Sequence, residues 1–175
     1  NKGEVQYPLY PVVFNRSTGK PFLCVKKNYL DGKLEGRDFN DSWISEEDEE
    51  QVEYGYLLPD ENAWNPDDDL WNIPQEYIKD EGGRPVIKKE YKKLFPSRIV
   101  YLADGSFSET AGSALKGGFS GWYVPIGFIY DPTSGDLYHR QTSEYTKLSR
   151  IGLEGRSTTT TVLSLGILDA MQDLG

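Results

Sequence analysis

Catalysis requires particular side chains at particular spacings, and this chain offers few of them. Its only histidine, His139, and its only cysteine, Cys24, lie far apart in sequence. A lone His beside a hairpin strand is ordinarily a surface residue, and a lone Cys within an apolar arm is ordinarily packed. Gly117-Gly118-Phe119-Ser120-Gly121 matches neither a phosphate-binding loop nor a nucleophile elbow. There is no dinucleotide fingerprint and no zinc ligand set. Carboxylates are the exception. Asp67, Asp68 and Asp69, with Asp60 and Glu61 nearby, are oxygen donors of the kind Ca²⁺ takes, although their spacing is not that of an EF-hand. Solvation and helix capping account for them equally well. Glu90-Tyr91-Lys92 has the Glu-x-Lys form found in some nucleases, but within a helical pattern rather than on a strand. The residues therefore lean away from an enzyme. They imply no cofactor, with Ca²⁺ or Mg²⁺ the ions their carboxylates would suit.

Charge is divided unevenly along the chain. The formal net charge is -9, from 28 acidic and 19 basic residues. Between Asp38 and Glu81 stand 16 acids and one base, Lys79, so the remainder is net basic. Such a division suggests that the acidic segment packs on the basic part or faces a basic protein partner. Arg84, Lys88, Lys89, Lys92, Lys93 and Arg98 form a local basic patch. Phosphate binding is one reading of it, and pairing with the chain's own acids is simpler; nucleic acid is not the expected partner of so acidic a chain. Trp64 and Trp71 occupy equivalent places in two seven-residue units, 59–65 and 66–72, each opened by proline. They read as anchors tying the acidic segment to the body, and, with Trp122, as an alternative sugar-stacking platform.

The elements that must position these residues follow from local pattern. Tyr10 to Lys27 reads as a hairpin, Pro11–Phe14 against Phe22–Val25, closed by a polar loop containing Gly19. Ser45 and the acids after it predict a short helix from Glu46 to Tyr54. Pro74–Lys79 reads as a helical turn stopped by Gly82-Gly83, and Val86–Phe95 as a helix ended by Pro96. Ile99 to Ser108 reads as a strand ending in Asp104-Gly105, and 110–121 as a loop. Trp122 to Asp131 reads as a second strand, with a turn at 131–136 and a partner strand from Leu137. Thr158 to Leu174 carries an amphipathic stripe and is expected to form a closing helix.

The order of elements after Ser97 resembles the first half of a ribonuclease H-like domain. The carrying residues are Ile99 to Ser106, ending Asp104-Gly105-Ser106, then Gly121-Trp122, the strand from Leu137, and the threonine-rich entry to the 158–174 helix. The resemblance implies that Asp104 would be a metal ligand in a two-metal phosphodiester site. The early helical Glu of that family has Val162, Leu163 or Ser164 in its place here, so the implied site is incomplete or finished by another chain.

The expectation is an α+β protein: a mainly antiparallel sheet with hairpins, an acidic helical extension and a C-terminal helix. Residues 1–98 would form the hairpin and acidic extension and 99–175 the sheet and closing helix, whether as two parts or one compact domain. The expected role is a non-enzymatic binding or structural module that docks on a protein or within an assembly, with Trp64, Trp71, Asp67, Asp68 and Asp69 as binding residues. A catalytically incomplete nuclease scaffold and a carbohydrate-binding module are the alternatives. No apolar run approaches the length of a membrane-spanning helix, and the single cysteine fits a reducing, cytoplasmic compartment.

Overall fold

The expected first hairpin forms, and its loop shows why. In this computed structural model, which describes residues 8–41, 51–66, 70–109, 115, 117–150 and 160–162, β1 (Leu9–Asn15) turns back as β2 (Pro21–Asn28). The Asn15 carboxamide oxygen accepts the N–H groups of Ser17 (2.7 Å) and Thr18 (2.8 Å). Gly19 supplies the positive φ, +72°, that the loop needs.

Seven further segments extend this pair into an antiparallel sheet. β3 (Lys33–Gly36) and β4 (Val52–Leu58) flank β2 on opposite edges. After the separate hairpin of β5 (Ile78–Glu81) and β6 (Arg84–Ile87), the chain enters β7 (Ser97–Tyr101), β8 (Phe107–Ser108) and β9 (Phe119–Pro125). β9 lies between β4 and β7, so strands from both halves of the chain share one sheet across the expected division at residue 98. A single helical turn, α1 (Glu144–Lys147), precedes β10 (Leu148–Ser149). β10 and β11 (Thr160–Val162) pair with opposite ends of β1. The fold class is thus α+β and mainly antiparallel.

The sheet curls until its far edges meet. Lys33 forms an antiparallel bridge with Ser106. Leu34 donates to the Gly105 carbonyl (2.6 Å), and Phe107 donates to the Gly32 carbonyl (3.3 Å). Alternation along the strands then gives two cores. Tyr10, Val25, Leu34, Leu57, Ile99 and Tyr123 fill the inside of the barrel. Phe22, Tyr56 and Trp122 face outward, beneath Trp64, Phe95 and Phe128.

Several expected elements take other forms. The end of the helix expected over Glu46–Tyr54 is strand: Val52–Tyr54 begin β4, and Glu46–Glu50 lie outside the described residues. Tyr54, Tyr56 and Leu58 share the outer face, and packing there outweighs the helical propensity of the acidic run. Val86 and Ile87 belong to β6, because Gly82-Gly83 (φ +64° and +86°) makes a hairpin turn instead of stopping a helix; only Lys89–Leu94 are helical, as a 3₁₀ turn. The Ile99 strand ends at Tyr101. The Trp122 strand stops at Pro125, and Leu137 makes one isolated bridge with Tyr130 rather than a strand. Within the expected closing helix, Thr160–Val162 are extended against Leu9–Pro11. β-branched residues beside an unpaired strand edge favour that outcome; the rest of that stretch lies outside the described residues.

Gly55 sets the spacing inside the barrel. A Cβ there would lie 2.6 Å from Cε2 of Tyr123, whose ring covers the glycine on the neighbouring strand. Its carbonyl also accepts two bonds from buried Arg37, from Nε (3.0 Å) and Nη2 (2.7 Å). Gly55→Ala is therefore expected to destabilise the fold by about 1–3 kcal/mol through overpacking. Urea denaturation of the variant, with and without Tyr123→Leu, checks this: the second change should recover part of the loss.

Candidate functional site

A polar cluster fills the end of the barrel where β2 and β9 finish and β4 and β7 begin. Lys27 projects inward from β2 and is only 2 % exposed. A buried ammonium is costly unless paired, and here Glu109 binds it directly while Glu53 stands 3.8 Å away. Its charge also lies over the Tyr123 ring, 3.5 Å from the centroid. The Tyr29 hydroxyl donates to Glu53 (2.9 Å) and is 3.2 Å from Glu109. Burial, followed by the field of Glu53 and Glu109, holds the Tyr29 phenol well above its ordinary range. Burial and then the Glu53 charge do the same to Tyr123. Both phenols therefore stay protonated at physiological pH.

This cluster forms one wall of a cavity of about 380 Å³. The lining also includes Lys92, Lys93, Phe95, Ser97 and Arg98. Among the described residues neither lysine makes an ion pair. The Tyr123 hydroxyl is buried and has no hydrogen-bond partner among the described residues. Hydroxyl and ammonium donors, fixed charge and aromatic faces equip the cavity for binding. Its lining contains no histidine or cysteine to act as a nucleophile or base.

Asp104 occupies the turn between β7 and β8. Its carboxylate accepts the Ser106 N–H (2.9 Å) and pairs with Lys33 across the barrel seam (3.0 Å). The adjoining Gly105 adopts φ +94°, and a Cβ there would meet the Leu34 carbonyl oxygen at 2.7 Å. Among the described residues no three His, Cys, Asp or Glu side chains gather as metal ligands. Among the described residues, the surroundings of Asp104 are those of a turn-capping carboxylate with a lysine partner.

The remaining sequence candidates are scattered. Trp64 is 4 % exposed, its ring 5.0 Å from Trp122 and 5.7 Å from Tyr130; it is a core residue. Trp71, its counterpart in the repeat, is 67 % exposed. Trp122 is buried, so the three rings form no common stacking platform. Asp67, Asp68 and Asp69 lie outside the described residues. Glu90-Tyr91-Lys92 falls in the 3₁₀ turn of Lys89–Leu94. His139 is exposed, and burial pushes the Cys24 thiol up to about 11, which keeps it unreactive. The basic patch makes no ion pair with the acidic segment among the described residues; Arg98 stacks on Trp122 instead, 4.9 Å from its centroid.

Lys27, Tyr29, Glu53, Glu109 and Tyr123 were not legible as a group. A single lysine within a strand ordinarily reads as exposed. The one available signal was its inward register, two residues beyond Val25 and four beyond Leu23.

The ionised form of Asp104 is favoured first by the Ser106 backbone N–H and next by Lys33, which together lower its pKa from 3.8 to about 2. A depressed carboxylate pKa contributes stability above about pH 4 and loses it as pH falls towards 2. Because the side chain is about one-third exposed, screening limits the contribution to about 1 kcal/mol. Asp104→Asn is expected to cost that much at neutral pH in urea melts, with the gap to the parent closing as pH drops from 4 towards 2. Compared with known proteins, the chain matches no family model, no curated protein and no solved structure.

Proposed function

We propose that the chain is a non-enzymatic binding module that docks on a basic protein partner or within an assembly, using the acidic 38–81 segment with Trp71 as its aromatic anchor. The observation that carries this reading is the setting of Trp71. Its neighbours Leu70 and Ile73 are 5 % and 3 % exposed, so the backbone is secured on both sides while the indole stands 67 % in solvent. A large aromatic held outward on a fixed backbone loses little conformational entropy on binding, which is why Trp is a frequent interface anchor. Exposed Asp60, Glu61 and Glu76 belong to the same segment, and Asp67, Asp68 and Asp69 directly precede the turn in sequence. They supply the electrostatic part of the reading, attraction to a basic surface.

No helix among the described residues is long and apolar enough to cross a membrane, so a membrane-embedded partner is not invoked. A reducing, cytoplasmic compartment suits the buried free thiol of Cys24. The surroundings of Asp104 give the nuclease alternative no support, and the burial of Trp64 and Trp122 gives none to a three-tryptophan carbohydrate platform.

The test is a titration with a panel of basic peptides, read by tryptophan fluorescence. Binding should shift Trp71 emission to the blue, weaken with rising salt and disappear in Trp71→Ala. It should also weaken when Asp67, Asp68 and Asp69 are changed together to Asn. Trp71→Ala should leave folding stability within about 0.5 kcal/mol of the parent, whereas Trp64→Ala should cost about 3–5 kcal/mol. Binding that is unchanged by salt and by Trp71→Ala would contradict the reading.

A further inference from the structure

The barrel-mouth cavity is independent of the Trp71 surface and carries a separate inference. The geometry points to a binding site for a small phosphate monoester, its dianion held by Lys92, Lys93 and the Tyr123 hydroxyl.

Three observations support this. First, Lys92 and Lys93 line the cavity and make no ion pair among the described residues, leaving two ammonium groups available. Second, the Tyr123 hydroxyl is buried and without a partner among the described residues, and Tyr123 belongs to the same lining. A buried hydroxyl left unbonded is unfavourable, and an incoming oxyanion would relieve that cost. Burial and the nearby Glu53 charge keep the phenol protonated, so it offers a proton rather than an anion. Third, the two carboxylates in the lining are engaged: Glu109 holds Lys27, and Tyr29 bonds Glu53.

Size and lining narrow the ligand class. A cavity of about 380 Å³ lies at the small end of the range for small-molecule sites. Phe95, Pro125 and the Tyr29 ring provide apolar surface beside the donors. A tetrahedral dianion carrying a compact apolar body uses both. A bare carboxylate would meet the same ammonium groups with one charge and fewer acceptor oxygens.

Isothermal titration calorimetry with phenyl phosphate, inorganic phosphate, benzoate and phenol tests the assignment. Phenyl phosphate should bind saturably and at least about tenfold more tightly than benzoate, inorganic phosphate more weakly than phenyl phosphate, and phenol not at all. Changing Lys92 and Lys93 together to Ala should weaken phenyl phosphate at least about tenfold. Tyr123→Phe keeps the ring over Gly55 and beneath Lys27 and removes only the oxygen. It should weaken phenyl phosphate about fivefold while leaving the urea midpoint unchanged or raised. No saturable heat with phenyl phosphate, or affinity indifferent to both variants, would overturn the proposal. Because neither variant touches Trp71, failure here is separable from failure of the peptide-docking reading.

Discussion

A curled sheet of this kind depends on how its two far edges meet. Here the meeting is backbone to backbone: the Leu34 N–H reaches the Gly105 carbonyl at 2.6 Å, next to the Lys33–Ser106 bridge. Gly105 permits the approach because it has no Cβ to strike the Leu34 carbonyl and accepts φ +94° without strain. Asp104 fixes the same turn from one side through Ser106 and fastens it from the other through Lys33. Tyr10 adds a bond from inside the barrel, its hydroxyl donating to the Leu34 carbonyl (3.1 Å). Closure matters physically because it removes exposed strand edges and brings Glu109, just beyond β8, over Lys27 on β2.

The fold also holds several buried cations on internal partners. Lys27 rests on an aromatic face and two carboxylates. Lys147, fully buried, donates to the Phe128 carbonyl (2.6 Å) and pairs with Glu144 (2.7 Å). Arg37 has no carboxylate partner among the described residues and spreads its charge over the carbonyls of Val25, Gly55 and Asp38. These contacts tie loops to strands at sites where apolar packing alone would not specify a single arrangement. Asn15 does the same with a neutral side chain, capping its own hairpin loop and reaching the buried Asp131 carboxyl. At the barrel mouth, by contrast, the Tyr123 hydroxyl has no hydrogen-bond partner among the described residues.

What the sequence made legible was chiefly local. The β1–β2 hairpin and the Asp131 turn could be read because their signals, Asn15 with Gly19 and Asp131 with Gly135, act within a few residues. β4 could not, since Ser45 and the acids after it read as a helix running to Tyr54; its strand character comes from Tyr56 and Leu58 packing on elements distant in sequence. Gly82-Gly83 was visible as a break, but whether it stops a helix or turns a hairpin is decided by the pairing of Ile78 with Ile87. Trp64 and Trp71 are equivalent in the repeat and opposite in burial, because only Trp64 meets Trp122 and Tyr130. The barrel-mouth cluster joins β2, β4, β9 and residue 109, and no periodicity within a window reveals such a union. Asp104-Gly105 was conspicuous for a sound reason, a demanding backbone, and sheet closure makes that demand.

The most direct measurement of this account is amide hydrogen exchange at Leu34, read residue by residue by NMR under native conditions. If the sheet closes as described, the Leu34 N–H is protected to the same extent as the Val25 amide in the centre of β2 and exchanges only with global unfolding. Exchange of Leu34 at the rate of an open peptide, with Val25 still protected, would mean that the seam is open in solution and would contradict the closed barrel on which the mouth depends.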